Sequence, residues 1–175
     1  MKKKKIIAFI GVFLLFTTVL CFACNICASG ALTEDCNYSK SKASLFQEAI
    51  NEFGATFPEQ SVNLWAKGVK ERNGALQYAV MDEKLKSKFS NYLEKNRPSW
   101  VTGGSSPWIE TYEIKLNKVD TFTYKAEVVF SLATSAGSLG SYPAYLQIVK
   151  QSNYWMIKDI QMDEKLRQYL NYPKL

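Results

Sequence analysis

The hydrophobic pattern changes character along this chain. Lys2, Lys3, Lys4 and Lys5 precede an uncharged apolar run over residues 6–23. A basic flank before a greasy core is the pattern of an export signal or membrane anchor, with the lysines kept on the cytoplasmic side. Residues 1–30 are read as that segment, and residues 31–42, which mix Thr, Asp, Asn, Ser and Lys, as a linker. From Ser44 the period becomes helical: Leu45, Phe46, Ala49, Ile50 and Phe53 share a face that Gly54 closes, with Ser44 and Gln47 as a capping box. Pro58 suits the first turn of a second helix whose stripe is Val62, Trp65, Ala66 and Val69, and Arg72-Asn73-Gly74 breaks it. Residues 75–81 are mostly apolar but too short to stand alone, so they pack on the first two helices. Asp82 caps a third helix, with Leu85, Phe89, Tyr92 and Leu93 on one side and Lys84, Lys86, Lys88 and Lys95 mostly on the other, and Pro98 ends it.

Beyond Trp100 apolar residues fall at every second position. Trp108, Tyr112, Ile114 and Leu116 alternate with Thr111, Glu113 and Lys115, and residues 117–121 form a turn. Phe122, Tyr124, Ala126, Val128, Phe130 and Leu132 then mark a long half-buried strand, with Thr123, Lys125, Glu127 and Ser131 in the gaps. A Gly- and Ser-rich stretch over 135–141 reads as a loop, followed by strands near 145–150 and 154–162 joined at Ser152-Asn153, and Asp163 starts a short terminal helix. Helices first and antiparallel strands after predict an α+β domain over 43–175, its N-terminal helices packed on a curved four-stranded antiparallel sheet.

Composition narrows the chemistry. The chain has 175 residues and no His, which removes the commonest general base and metal ligand. Of 22 basic residues, 18 lie beyond Lys5, against 16 acidic ones, so the domain is nearly neutral and nucleic acid is a poor partner. Cys21, Cys24, Cys27 and Cys36 all precede the folded body, which has no disulfide. Cys24 and Cys27 lack the second ligand pair that structural zinc needs, and no cofactor is expected. Three endings of the export segment stay open. Cys24, after Ala23, is a lipidation candidate; Ala28-Ser29-Gly30 offers a cleavage site releasing a secreted chain; or the run is retained as an anchor. All three place the domain outside the cytoplasm.

The order of elements over roughly 44–162, with W-A-K-G-V-K-E-R-N-G-A-L-Q-Y at 65–78 and W-V-T-G-G-S-S-P-W at 100–108, resembles the nuclear transport factor 2-like superfamily, in particular uncharacterised bacterial extracytoplasmic members. The resemblance implies a cone of helices wrapped by a sheet around a pocket, and carries no catalytic residue to this chain.

Two stretches stand out as candidate sites. In residues 100–108, Trp100 and Trp108 flank a hydroxyl-rich loop containing Ser105, suited to closing a pocket mouth over an apolar or sugar-like ligand; the plainer reading is a connection whose two Trp plug the core. Arg72, with Asn73, Gln77 and Tyr78 nearby, offers a cation, amides and a phenol to an anionic or carbonyl-bearing ligand, or is simply a helix end with a left-handed Asn or Gly. Glu110 falls in phase with Trp108, Tyr112 and Ile114, so it points to the apolar side as a potential acid or base, unless it is a strand-end carboxylate in water. Trp65 and Tyr112 complete the candidate ligand-binding set. The functional expectation is a membrane-associated or secreted extracytoplasmic binding or accessory domain for a protein partner or small apolar ligand, with membrane contact through the N-terminal segment. The alternative is a hydrolase or isomerase using Glu110 with Tyr78 or Tyr112.

Overall fold

Among the residues described from 54 to 175, three helices precede the sheet and a fourth follows it. This computed structural model describes Phe46, Ile50 and residues 54–175. The expectations for residues 1–30, the linker 31–42, the lipidation candidate Cys24 and the helix ahead of Gly54 lie outside the described residues, apart from Phe46 and Ile50, which are helical. Ile50–Leu175 forms one compact unit.

Helix α1 (Pro58–Lys70) starts with the rigid φ of Pro58 and buries Val62, Trp65, Ala66 and Val69 along one stripe. Helix α2 (Gly74–Ala79) is the short apolar stretch, begun by Asn73, whose side chain accepts from the Leu76 N–H at 3.1 Å. Helix α3 (Glu83–Asn96) is capped by Asp82 as its sequence predicts, the carboxylate accepting from Leu85 N–H at 2.9 Å. Lys86 departs from the lysine-bearing side: it is 2% exposed, its ammonium 3.7 Å from Glu83 and 5.3 Å from the centre of the Tyr78 ring.

The sheet is an antiparallel meander of β1 (Trp108–Lys118), β2 (Thr123–Thr134), β3 (Gly137–Gln151) and β4 (Tyr154–Met162), in the order β1-β2-β3-β4. The Gly- and Ser-rich stretch over 135–141 is not a loop. Only a tight turn at Ser135 and Ala136 separates the strands, and Gly137 already pairs with Thr134, so β3 runs 15 residues. Backbone pairing with β2 overrides composition there, with an irregularity after Leu132 and Gly140 at a φ of 96° absorbing the misfit. Pro143 is tolerated inside the sheet because it sits where β4 stops: its carbonyl accepts from Asp163 N–H at 3.0 Å just past Met162. Helix α4 (Glu164–Tyr169) follows, capped by Asp163.

The helices cover one face of this sheet. Ala126, Val128, Phe130 and Leu132 of β2 and Ala144, Leu146 and Ile148 of β3 meet Trp65, Phe89 and Leu93 there. The C-terminal segment seals the layer: Leu166, Leu170 and Tyr172 are buried, and the Tyr172 ring lies 5.9 Å from Phe89 and 6.3 Å from Trp65. Trp65, Phe89, Phe130 and Tyr172 thus pack ring against ring on this side of the sheet. The free edge of β4 is also covered, since Trp155 N–H donates to Ala55 O at 2.8 Å and Ile157 N–H to Val80 O at 2.7 Å.

Candidate functional site

The two stretches singled out in the sequence hold each other. Arg72, rather than Asn73 or Gly74, takes the left-handed conformation, with a φ of 59°. This turn lays residues 72–74 against residues 100–102 as an antiparallel bridge: Gly74 N–H donates to Trp100 O and Thr102 N–H to Arg72 O, each at 2.9 Å. Side chains complete the clasp. The Gln77 amide donates to Thr102 Oγ1 at 3.0 Å, and the Tyr78 and Trp100 rings meet edge to face at 5.3 Å. A Cβ at position 74 would fall 2.7 Å from Trp100 O, so Gly74 is what lets the two backbones approach.

Three cations also donate to carbonyls of the region. Arg72 reaches Ser105 O at 3.1 Å, Arg97 reaches Gly103 O at 3.1 Å, and Lys70 reaches Glu110 O at 2.7 Å. These charge-assisted bonds tie the loop down. Beneath it, between Val69, Arg72, Gly103, Trp108 and Tyr172, lies a crevice of about 10 Å³, room for about one water.

The structure brings together Arg72, Tyr78, Trp100 and Ser105, with Arg72 committed to the Ser105 carbonyl, the Tyr78 ring to Trp100, and the Trp100 indole N–H to the Glu94 carboxylate at 2.8 Å. Trp65 stands apart at 0% exposure, its indole N–H donating to Tyr172 O–H at 3.2 Å. Tyr112 is half-buried, its ring 5.9 Å from Phe130. Trp108 is 39% exposed. Glu110 does not point to the apolar side. Ile109 pairs with Leu132 and Thr111 with the adjacent Ser131, so Glu110 is the extra residue of a β-bulge. The alternation of Tyr112 and Ile114 is inverted across it: Ile109 is buried, while Trp108 and Glu110 are exposed.

The face of the sheet opposite the helices carries a second arrangement. A concavity of about 450 Å³ crosses all four strands there, in the range of small-molecule sites but open, and most of the residues lining it are polar types. Register builds it in two rows. Asn117, Lys125, Gln147 and Asp159 are successive cross-strand partners, and so are Lys115, Glu127, Tyr145 and Gln161. Opposite charges thus sit side by side at Lys115 and Glu127, and Gln161 donates to the Asp159 carboxylate at 2.9 Å. Tyr145 stands half exposed in the second row. The negative charge of Glu127, then partial burial and a hydrogen bond to Glu127, hold its phenol above the usual range, so it remains a donor at neutral pH. The arrangement offers donors, acceptors and one aromatic ring on an open surface. Among the described residues no cluster of three metal-ligating side chains occurs, and no helix is long and apolar enough to cross a membrane.

Tyr145, Gln147, Asp159 and Gln161 were not singled out in the sequence. The outward phase of β2, with Lys125 and Glu127, was visible there, but the faces of β3 and β4 are mixed and assign nothing until register is known.

No protein-family model matches the chain, and neither does any curated protein. Among solved structures it is similar to an Ntf2-like protein involved in plasmid conjugation, with a TM-score of 0.41 and 11% identity, over 63% of this chain and 42% of that one. It is also similar to the intermembrane-space region of the chloroplast protein ARC6, with a TM-score of 0.35 and 12% identity, over 59% of this chain and 92% of the other. The chain therefore spans less than half the length of the conjugation protein. Neither similarity assigns a role to this chain.

Proposed function

We propose that this chain is an extracytoplasmic accessory protein of nuclear transport factor 2-like type, held at the membrane by its N-terminal segment, whose folded body binds a protein partner through the solvent face of the sheet without chemistry. The observation that carries this reading is the contrast between the two sheet faces: the helix side is packed with Trp65, Phe89, Phe130 and Tyr172, while the open side displays Lys125, Glu127, Tyr145 and Gln147 across a broad concavity. A polar, hydrogen-bond-rich surface with one aromatic anchor fits a non-obligate protein interface. The enzyme reading rested on an inward Glu110, and that carboxyl faces water.

A photo-crosslinking residue at position 145, in the full chain in its native membrane, is expected to give one discrete adduct. The same residue at Lys84, on an exposed part of α3, is expected to give none, and Gln147→Arg should abolish the adduct at 145. Equal adducts from both positions, or recovery of the chain alone with a bound metabolite, would overturn the protein-partner reading.

A further inference from the structure

The two edges of the sheet are finished differently. Ala55 and Val80 cover the edge of β4, whereas β1 pairs with β2 alone, and among the described residues no other segment bridges to it. Register says which of its backbone groups are left open. Val119 N–H donates to Thr123 O in continuation of the β1–β2 register. The alternate residues Thr111, Glu113, Lys115 and Asn117 therefore turn their N–H and C=O to β2, and Tyr112, Ile114 and Leu116 turn theirs outward. Among the described residues none of those outward groups has a hydrogen-bond partner. Glu110 O, in the bulge, is taken by Lys70 and marks the end of the open ladder.

The side chains along this edge are ordered about its middle. Tyr112, Ile114 and Leu116 face the helix side but stay half-buried, while Ala126, Val128 and Phe130 beside them in β2 are buried. Outward from Ile114, the strand places Glu113 opposite in sense to Lys115, then Tyr112 to Leu116, then Thr111 to Asn117. An antiparallel copy of β1 centred on Ile114 thus sets Glu113 against the partner's Lys115 and Lys115 against the partner's Glu113. Tyr112 meets the partner's Leu116 on the helix side, and Thr111 the partner's Asn117 on the open side. The same centring joins the outward backbone groups in hydrogen-bonded pairs and leaves Glu113 and Lys115 in the closer pairs between them, with Cα atoms about 4.5 Å apart. Neighbouring registers fail. Centring on Glu113 opposes two carboxylates, centring on Lys115 opposes two ammonium groups, and a slip of one residue lays the apolar trio on the wrong face. Charges on an edge strand ordinarily keep chains apart; in this order they select one pairing.

We infer that the edge of β1 is the docking surface for a second copy of this chain, whose own β1 adds antiparallel across a two-fold axis at Ile114 and joins the two sheets into one. The inference goes beyond the proposed function and does not depend on it. Because the axis stands perpendicular to the sheet, both polar concavities open on the same side, and a single two-fold partner can engage both.

The test is the oligomeric state of the full chain purified in a mild detergent, read by sedimentation across a concentration series, with two charge variants. Glu113→Lys and Lys115→Glu should each weaken the dimer by about tenfold, since each makes both charged pairs repulsive. Mixed in equal amounts, the two variants should form a heterodimer about as tight as the wild-type dimer, because every unlike pair is regained between the chains. Recovery on mixing also shows that both variants are folded. A wild-type chain that stays monomeric throughout the series overturns the inference, as when another segment of the same chain covers the edge. A dimer that neither variant weakens is built elsewhere and overturns it as well. Weakening by both variants without recovery on mixing overturns the pairing about Ile114 and the assignment with it.

Discussion

The two faces of the sheet are built from the same strands and follow opposite rules. On the helix side, β2 contributes Ala126, Val128, Phe130 and Leu132, all buried, and the Trp65 ring meets Phe130 and Tyr172 edge to face. On the far side, the intervening residues Lys125 and Glu127 meet Gln147 and Tyr145 across β3 and stay in water. The clasp between residues 72–74 and 100–102 belongs with the first face. Its Trp, Arg and Gly residues look like recognition chemistry in isolation, yet each is committed to an internal partner. Unusual composition marks a place where backbones must approach closely as readily as one where a ligand must.

That contrast can be broken most forcefully at Trp65. Trp65→Ala should lower unfolding stability by about 3–5 kcal/mol, the usual cost of emptying a buried aromatic site, read as a shifted urea midpoint at unchanged slope. A near-neutral result would show that the helix side is loosely filled. Tyr172→Phe tests the same layer more finely, leaving the Trp65 N–H without its acceptor at a cost of about 1–3 kcal/mol. It also carries a pH signature. Burial raises the Tyr172 phenol above its ordinary value, so its contribution is fully present below the unfolded-state pKa of about 10 and is lost as pH rises beyond that toward the folded value. Stability of the wild type should therefore fall more steeply above about pH 10 than that of Tyr172→Phe, and parallel curves would remove Tyr172 from the argument. The smallest effect is expected on the open face: Tyr145→Ala should change stability by no more than about 0.5 kcal/mol while abolishing co-purification of the partner with the full chain from its native membrane. A large stability loss there would mean that the open face is part of the fold's support.

Much of the fold was legible because it rests on local signals. Asp82 and Asp163 cap helices where their sequence context says they should, and the alternation from Tyr124 to Leu132 announces a strand with one wet side. The 135–141 stretch was misread because its Gly and Ser residues report flexibility in isolation, whereas its strand state is imposed by β2. Lys86 was placed in solvent by charge alone, but it is buried with its ammonium over the Tyr78 ring. Glu110 shows how fragile a phase argument is: a single extra residue opposite Leu132 and Ser131 inverted everything upstream of it. The polar concavity was unreadable because it draws residues from four strands, and only register sets Asn117 and Asp159 in one row through Lys125 and Gln147.

Ala55 and Ser61, near the start of the described fold, are fastened to Trp155, near its end. Trp155 N–H donates to Ala55 O, and Ser61 Oγ donates to Trp155 O at 2.6 Å across 94 positions of sequence. During synthesis the opening helix must wait for the final strand before its last hydrogen bonds exist. A nascent chain cut short anywhere before that strand would keep its greasy stripe uncovered, a conspicuous target for chaperones and proteases.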